Sequence, residues 1–449
     1  MNMVIIKLET EESWKGLIST DSGLQVLSST QGFVAKKGQW LWVATQTGEP
    51  RCVYVGYDIN ESFWQFAGLP DLLPPKVNYR LDDLIDINLK SDVYLAWQLG
   101  QYEFDRFLSK PKQKPSISIE GVSAETKATA STILQIRDWI NTPAEDLGPG
   151  DMVELSQQCA KMYQAECKVW LGAKLRKEFP LVATVGRAST RPPAMIQLQK
   201  KVDNAPHIIL VGKGVCFDSG GLDIKPSSGM RWMKKDMGGA AHVLGLAHLI
   251  WQMDLPISLT VLIPTADNSI SGDAFRPGDV YISRNKVSVE VGNTDAEGRL
   301  LLADALAYGS ELKPDWMIDF ATLTGAARVA MGLEIPCYFS NDEQMEAGLK
   351  EVSKECEDCL WPLPLWEPYQ SLLNSSVADI SSTGSSPYGG AITAALFLQR
   401  FVGKDIKWSH IDLNAFNMTN KAGRPEGGEA MGLRAVYAWI QSKVAKKID

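Results

Sequence analysis

The sequence predicts an α/β protein of two domains: a smaller N-terminal α/β domain, and a larger C-terminal domain with a central mixed sheet flanked by helices. Three observations carry this expectation. The chain has 449 residues, enough for more than one hydrophobic core. Short apolar, β-branched runs alternate with helix-periodic segments along most of it. A stretch rich in Lys, Pro and Ser, residues 109–121, interrupts that alternation and marks a boundary.

In chain order, QWLWVAT and RCVYVGY read as strands and DVYLAWQLGQYEFDRF as a helix, so residues 1–108 form the first domain. Residues 109–150 are a linker and connecting helix, VSAETKATASTILQIRDWIN, which stops at Asn141-Thr142-Pro143 because proline cannot continue it. Residues 151–449 form the second domain, where ECKVWLG, HIILVGKG, ISLTVLIPT and WMIDFATL supply strands. Strands this uniformly apolar are expected in a sheet covered on both faces.

Composition removes several function classes. With 45% hydrophobic and 22% charged residues the chain is ordinary for a soluble globular protein, and no apolar run approaches the roughly 20 residues that span a bilayer. A net charge of −8 opposes non-specific adhesion to nucleic acid or to anionic membranes. Seven irregularly spaced cysteines read as reduced thiols, and the N-terminal apolar run is too short for a signal peptide. The expected location is the cytoplasm.

Chemistry concentrates at two strand-to-helix junctions. After HIILVG, the segment KGVCFDSGGLDIKPSSGMRWMKKDMGG holds Lys213, Asp218, Lys225 and Asp236, with Gly212, Gly214, Gly220 and Gly221 permitting unusual backbone angles or close approach. Ligands in open α/β sheets collect beyond the carboxyl ends of strands, where this segment begins. A phosphate loop is excluded by the missing GxxxxGK[ST] spacing, and a serine nucleophile at Ser219 by Phe217, which stands where GxSxG needs glycine. The second junction, VSVEVGNTDAEGRLLLADALAY, carries Asp295, Glu297 and Arg299. Four acids converging from both junctions would balance two divalent cations.

Only four histidines exist, none in an HExxH spacing, so a carboxylate site helped by a lysine amine is expected, suited to manganese, magnesium or zinc. Lys213 could ligate only as the neutral amine. The competing reading makes Asp295 a helix cap, Glu297 a first-turn acid and Arg299 a salt-bridge partner. His242, His248 and His410 are expected to serve packing, and Cys356 and Cys359 to be incidental.

At these residues the chain resembles the leucyl (cytosol) aminopeptidase family of di-metal M17 peptidases. The match rests on VGKGVCFDSGGLDIKP, KKDMGGAAHV and NTDAEGRLLLADAL, with RDWINTPAEDLGP, VGRAS and GGAITAALFL in support, and it spans residues 135 to 440. The resemblance implies that Lys213, Asp218, Asp236, Asp295 and Glu297 bind two metal ions, with Asp218 and Glu297 bridging them. It implies that Lys225 stabilises the oxyanion formed when an activated water attacks the peptide carbonyl, and that Arg299 holds a bicarbonate that relays the proton. It places Met233, Thr322 and Gly325 in the substrate side-chain pocket, and Asn293 heads the signature among the substrate-binding residues.

One departure stands out: HIDLNAFN replaces the family's H-x-D-I-A-G, putting Asn414 and Asn417 where small or apolar residues are usual. A more polar pocket is therefore expected. The family also implies peptide substrates and a homohexamer built as a dimer of trimers. A nucleic-acid-binding regulator, a second role within the family, is opposed by the acidic balance. An inactive scaffold is opposed by the complete set of metal and catalytic positions.

Overall fold

The computed structural model describes residues 3–445. The chain divides into two compact units, one formed by Met1–Leu134 with Thr419–Glu426 and the other by Gln135–Met418 with Gly427–Asp449. The division falls inside the helix Ala124–Asn141.

The first unit carries a five-stranded sheet in the order Trp40–Ala44, Pro50–Gly56, Val4–Glu9, Asn78–Leu81, Ser116–Ser118. Its last strand lies within the 109–121 stretch that composition marks as a boundary, and it pairs in parallel with Asn78–Leu81. The Ser-Ile-Ser-Ile alternation explains this: such a run fits a pleated, half-buried edge despite the flanking prolines. The helix expected to reach residue 107 is Ile87–Gln101. Gly100 and the aromatic residues after it are poor helix formers, and Tyr102 takes an extended conformation. Trp14, Phe33, Leu41 and Tyr54 anchor a core of this unit.

The second unit is built on a nine-stranded mixed sheet whose central strands, Lys407–Asp412, Trp316–Ala321, His207–Gly212 and Ser258–Asn268, run parallel. Antiparallel neighbours extend it: Cys337–Ser340 at one side, Ala194–Lys200 and Glu166–Trp170 at the other. All four expected strands are present. A fifth piece, Gly214–Asp218, lies in the junction after HIILVG and is a strand; it pairs with the far end of the 11-residue strand Ser258–Asn268 across an irregularity at Ala266/Asp267. Too short for a clear alternation, it is held by its neighbour rather than by its own pattern.

Strand alternation sends successive side chains to opposite faces. On one face, Gly212 abuts Val243 and Ala240 of the helix Gly238–Gln252. On the other, Ile209, Leu262 and Met317 lie around Gly309 of the helix Glu297–Glu311. Both helices are buried nearly all round, from Gly238 to Trp251 in the first. Such helices gain stability from core packing, each fully buried Leu or Ile contributing about 1.5–3 kcal/mol. The helices begin beside the carboxyl ends of the parallel strands, and there the polar side chains gather.

Candidate metal centre

Lys213 sits at the break between His207–Gly212 and Gly214–Asp218, fixed by backbone hydrogen bonds from its N–H to the Phe320 carbonyl (3.0 Å) and from the Ala240 N–H to its own carbonyl (2.8 Å). Two glycines make this possible. A Cβ on Gly239 would lie 2.0 Å from the Phe320 carbonyl oxygen, and one on Gly298 would lie 2.5 Å from Lys213 Cε. Each helix can press against the lysine only because these positions lack side chains.

The Lys213 ammonium reaches Asp236 Oδ2 at 2.7 Å and Glu297 Oε1 at 2.9 Å, and donates to the Thr322 carbonyl at 3.1 Å. Asp236 comes from the 3₁₀ turn Met233–Met237 just before one long helix, and Glu297 opens the other. Asp218 ends its strand and accepts from Gly220 N–H and Asn268 Nδ2, both at 2.9 Å. Asp218, Asp236 and Glu297 offer one oxygen each within 4.8 Å of one another. Lys225 lies 2.7 Å from Asp218 Oδ2 and also contacts Asp295.

Electrostatics report an excess of negative charge. Burial, then the nearby Asp218, raises the Glu297 carboxyl well above the ordinary range, with Lys213 only partly opposing. Burial and Asp236 push Asp218 up to about 6. Burial alone would raise Asp236 too, but Lys213 and Lys235 outweigh it and hold that carboxyl low. Lys213, which burial alone would neutralise, is raised above the ordinary lysine value by Asp236, Glu297 and Asp218. Three carboxylates therefore share one fully buried ammonium.

Glu297 Oε2 is buried with no partner, while Glu297 Oε1 and Asp295 Oδ1 meet only the Lys213 and Lys225 ammonium groups and make no hydrogen bond. Carboxylate oxygens so poorly satisfied and converging on one point fit divalent cations, which satisfy several oxygens at once without needing donors. The cluster can hold a metal ion.

Of the capping alternative, Glu297 does stand in the first turn of its helix, but the Asp295 cap and the Arg299 salt bridge are absent among the described residues. The residue before the helix is Ala296, with no side-chain cap, and Asp295 turns to Lys225 instead. Arg299 has no ion pair among the described residues; its Nη1 donates to the Ser382 carbonyl, its Nε is unpartnered, and burial lowers it to about 10. Ser219 donates its hydroxyl to the Asn268 carbonyl (2.7 Å), a structural bond.

A cavity of about 270 Å³ opens on the cluster, lined by Lys213, Asp218, Lys225, Asp236, Asp295 and Arg299, and by Met233, Asn293, Thr322 and Gly325 of the expected substrate set. Thr322 also donates its hydroxyl to Asp236 Oδ1 at 2.6 Å. Asn414 and Asn417 are not among the lining residues. The Asn414 amide is spent on the Phe416 carbonyl, and that of Asn417 donates to Glu429 Oε2 at 2.8 Å. These bonds turn both side chains to structural use, so the two asparagines do not supply the polar pocket expected of them. Lys235 and Arg328 line the cavity as further polar residues, absent from the set expected from the sequence. Lys235 had a signal, standing next to Asp236 in KKDMGG; Arg328, on the short helix Gly325–Met331, had none.

His242, His248 and His410 are buried. His242 Nδ1 lies 2.6 Å from the Gly238 carbonyl while Nε2 accepts from Met431 N–H at 2.8 Å, and His410 pairs with Asp319 at 2.6 Å. Cys356 and Cys359 are not joined in a disulfide. No helix of the described residues is long and apolar enough to cross a membrane.

Comparison with known proteins agrees with this geometry. Residues 135–437 match the catalytic domain of the cytosol aminopeptidase family, and residues 5–119 match the M17 aminopeptidase N-terminal domain. A probable cytosol aminopeptidase of Persephonella marina is 36% identical over 364 residues, 76% of this chain and 72% of the relative. Among solved structures, the cytosol aminopeptidase of Coxiella burnetii is 42% identical with a TM-score of 0.94, covering 99% of this chain and 98% of that one. The bottromycin maturation enzyme BotP in complex with manganese is 30% identical with a TM-score of 0.88, covering 98% and 99%. With two family domains matched along its length and an acidic cluster able to hold metal at the heart of the larger one, the chain belongs to the cytosol aminopeptidase (M17) family of metal-dependent peptidases.

Proposed function

We propose that the protein removes the N-terminal residue from peptides at a two-metal centre held by Lys213, Asp218, Asp236, Asp295 and Glu297. The observation that carries this reading is the convergence of buried Asp218, Asp236 and Glu297, with Glu297 Oε2 lacking any partner and Oε1 held only by the Lys213 ammonium. When bound, two divalent ions supply Lewis acidity: a lower pKa for the attacking water and a polarised scissile carbonyl. Manganese is favoured by the BotP complex, with zinc and magnesium also compatible with the donors.

The chain's own groups do the rest. Lys225, held as an ammonium by Asp218 and Asp295 and partly open to the cavity, donates to the oxyanion that develops as the carbonyl is attacked. Lys213 must lose its proton to ligate, and the carboxylates that now stabilise its ammonium are the ones a cation would take over. Arg299, buried with its Nε unpartnered, would hold a bicarbonate, which would supply a base for the attacking water's proton. Asn293, Met233, Thr322 and Gly325 position the substrate's first residue. Family membership further supports a cytoplasmic homohexamer, which light scattering would test.

The decisive experiment is hydrolysis of leucyl amide by chelator-stripped protein, repeated after adding manganese, zinc or magnesium. Activity should vanish on stripping and return with at least one ion. Undiminished hydrolysis by protein shown to be metal-free would overturn the reading.

A further inference from the structure

Two cations in the cavity wall lack a carboxylate of their own. Lys235 is 4% exposed, and Arg328 keeps a buried Nη1 without any hydrogen-bond partner. Among the described residues neither makes an ion pair, whereas Lys213 and Lys225 each hold two acids. The two line the same cavity. Asp236 is already bound to Lys213 and Thr322. Asp412, the other acid acting on Lys235, accepts from Leu323 N–H, Thr324 N–H and the Thr324 hydroxyl.

With both acids near Lys235 engaged elsewhere, and with Arg328 Nη1 unpartnered, the wall keeps donors available to an anion entering the cavity. The guanidinium is a rigid fork suited to gripping both oxygens of a carboxylate, and the adjacent ammonium adds further donors. Gly325 leaves the approach open: a Cβ there would meet nothing nearer than Arg328 Nη2, at 3.9 Å. The remaining wall, with Met233, Leu323 and Ala326, accepts the methylene groups of such a ligand.

Resting on the aminopeptidase reading above, we propose that Lys235 and Arg328 form a carboxylate subsite that makes substrates bearing a carboxylate near the scissile bond preferred. That group is either the side chain of an N-terminal Glu or Asp, or the free C-terminus of a dipeptide. The subsite deepens the polar pocket expected from the sequence but assigns it to different residues.

The test uses the manganese-loaded enzyme and two isosteric pairs: glutamyl against glutaminyl p-nitroanilide, and Leu-Gly against Leu-Gly amide. In the pair that matches the source, kcat/KM should favour the carboxylate by roughly 10- to 100-fold, chiefly through KM. Arg328→Ala should collapse that ratio towards one, and Arg328→Lys should retain part of it. Equal rates within both wild-type pairs, or a ratio unchanged in both Arg328→Ala and Lys235→Met, would sink the subsite while leaving the aminopeptidase standing. Failure of all four substrates would bring down the aminopeptidase reading and the subsite with it. The wild-type comparison needs no variant, so a misfolded substitution cannot shield the proposal.

Discussion

Two buried constellations of charge in the larger unit use the same ingredients and end differently. Arg137 and Glu429 are both almost wholly buried, and their pair is saturated: Arg137 Nε and Nη2 reach Glu429 at 3.0 and 2.9 Å, while Asn417 and the Ala430 N–H occupy the carboxylate further. Glu297 is equally buried, yet both its oxygens lack a hydrogen-bond partner, and the ammonium it touches is shared with Asp236. Burial alone therefore does not separate a structural acid from a functional one. The distinction lies in completeness: a satisfied carboxylate holds the fold, and an unsatisfied one holds something else.

Removing one acid from each constellation should separate the two roles most sharply. Glu297→Ala should lower leucyl amide hydrolysis by about 1,000-fold or more and abolish metal uptake measured by elemental analysis, since the acid lies where the ions are to be held. Melting of the metal-free protein should be unchanged or slightly raised, because a carboxyl disfavoured by its neighbours has gone. Glu429→Ala should do the reverse, costing about 3–5 kcal/mol in denaturant unfolding by leaving Arg137 buried and uncompensated, while the folded fraction still takes up metal. If Glu297→Ala destabilised as much as Glu429→Ala, the comparison would be wrong.

A smaller effect sharpens the saturated side. Burial lowers His242 to about 4, and its Nε2 accepts from Met431 N–H, a bond that protonation would break. The unfolded chain takes up the proton near the ordinary value of 6.5 while the folded one resists. Stability is thus fully present above pH 6.5 and declines as pH falls towards 4, by on the order of 1–3 kcal/mol. Unfolding curves from pH 7 to 4.5 should show that slope, and His242→Gln should flatten it; parallel slopes would remove His242 from the saturated class.

Much of the site was legible because its chemistry is local. Asp295, Glu297 and Arg299 share five residues at a strand-to-helix junction, and the apolar strands around them announce a covered sheet. What escaped was long-range satisfaction. Nothing in HIDLNAFN reveals that Asn417 is taken up by Glu429, twelve residues on, so a polar residue at a pocket position looked like a pocket residue. Arg328 escaped for the opposite reason: an arginine on a short helix is ordinarily solvated, and only the fold shows that one of its nitrogens is buried without a partner. The strand Gly214–Asp218 was hidden because its pairing partner, the end of Ser258–Asn268, lies fifty residues away.

The glycines flanking Lys213 carry a practical warning. Replacing helical glycine with alanine is a standard way to raise thermal tolerance, yet at Gly239 and Gly298 even one methyl group would strike a carbonyl or the lysine stem. Anyone hardening this enzyme for use must leave those two gaps empty, because the reach of the lysine into the acidic cluster is set by atoms the sequence withholds.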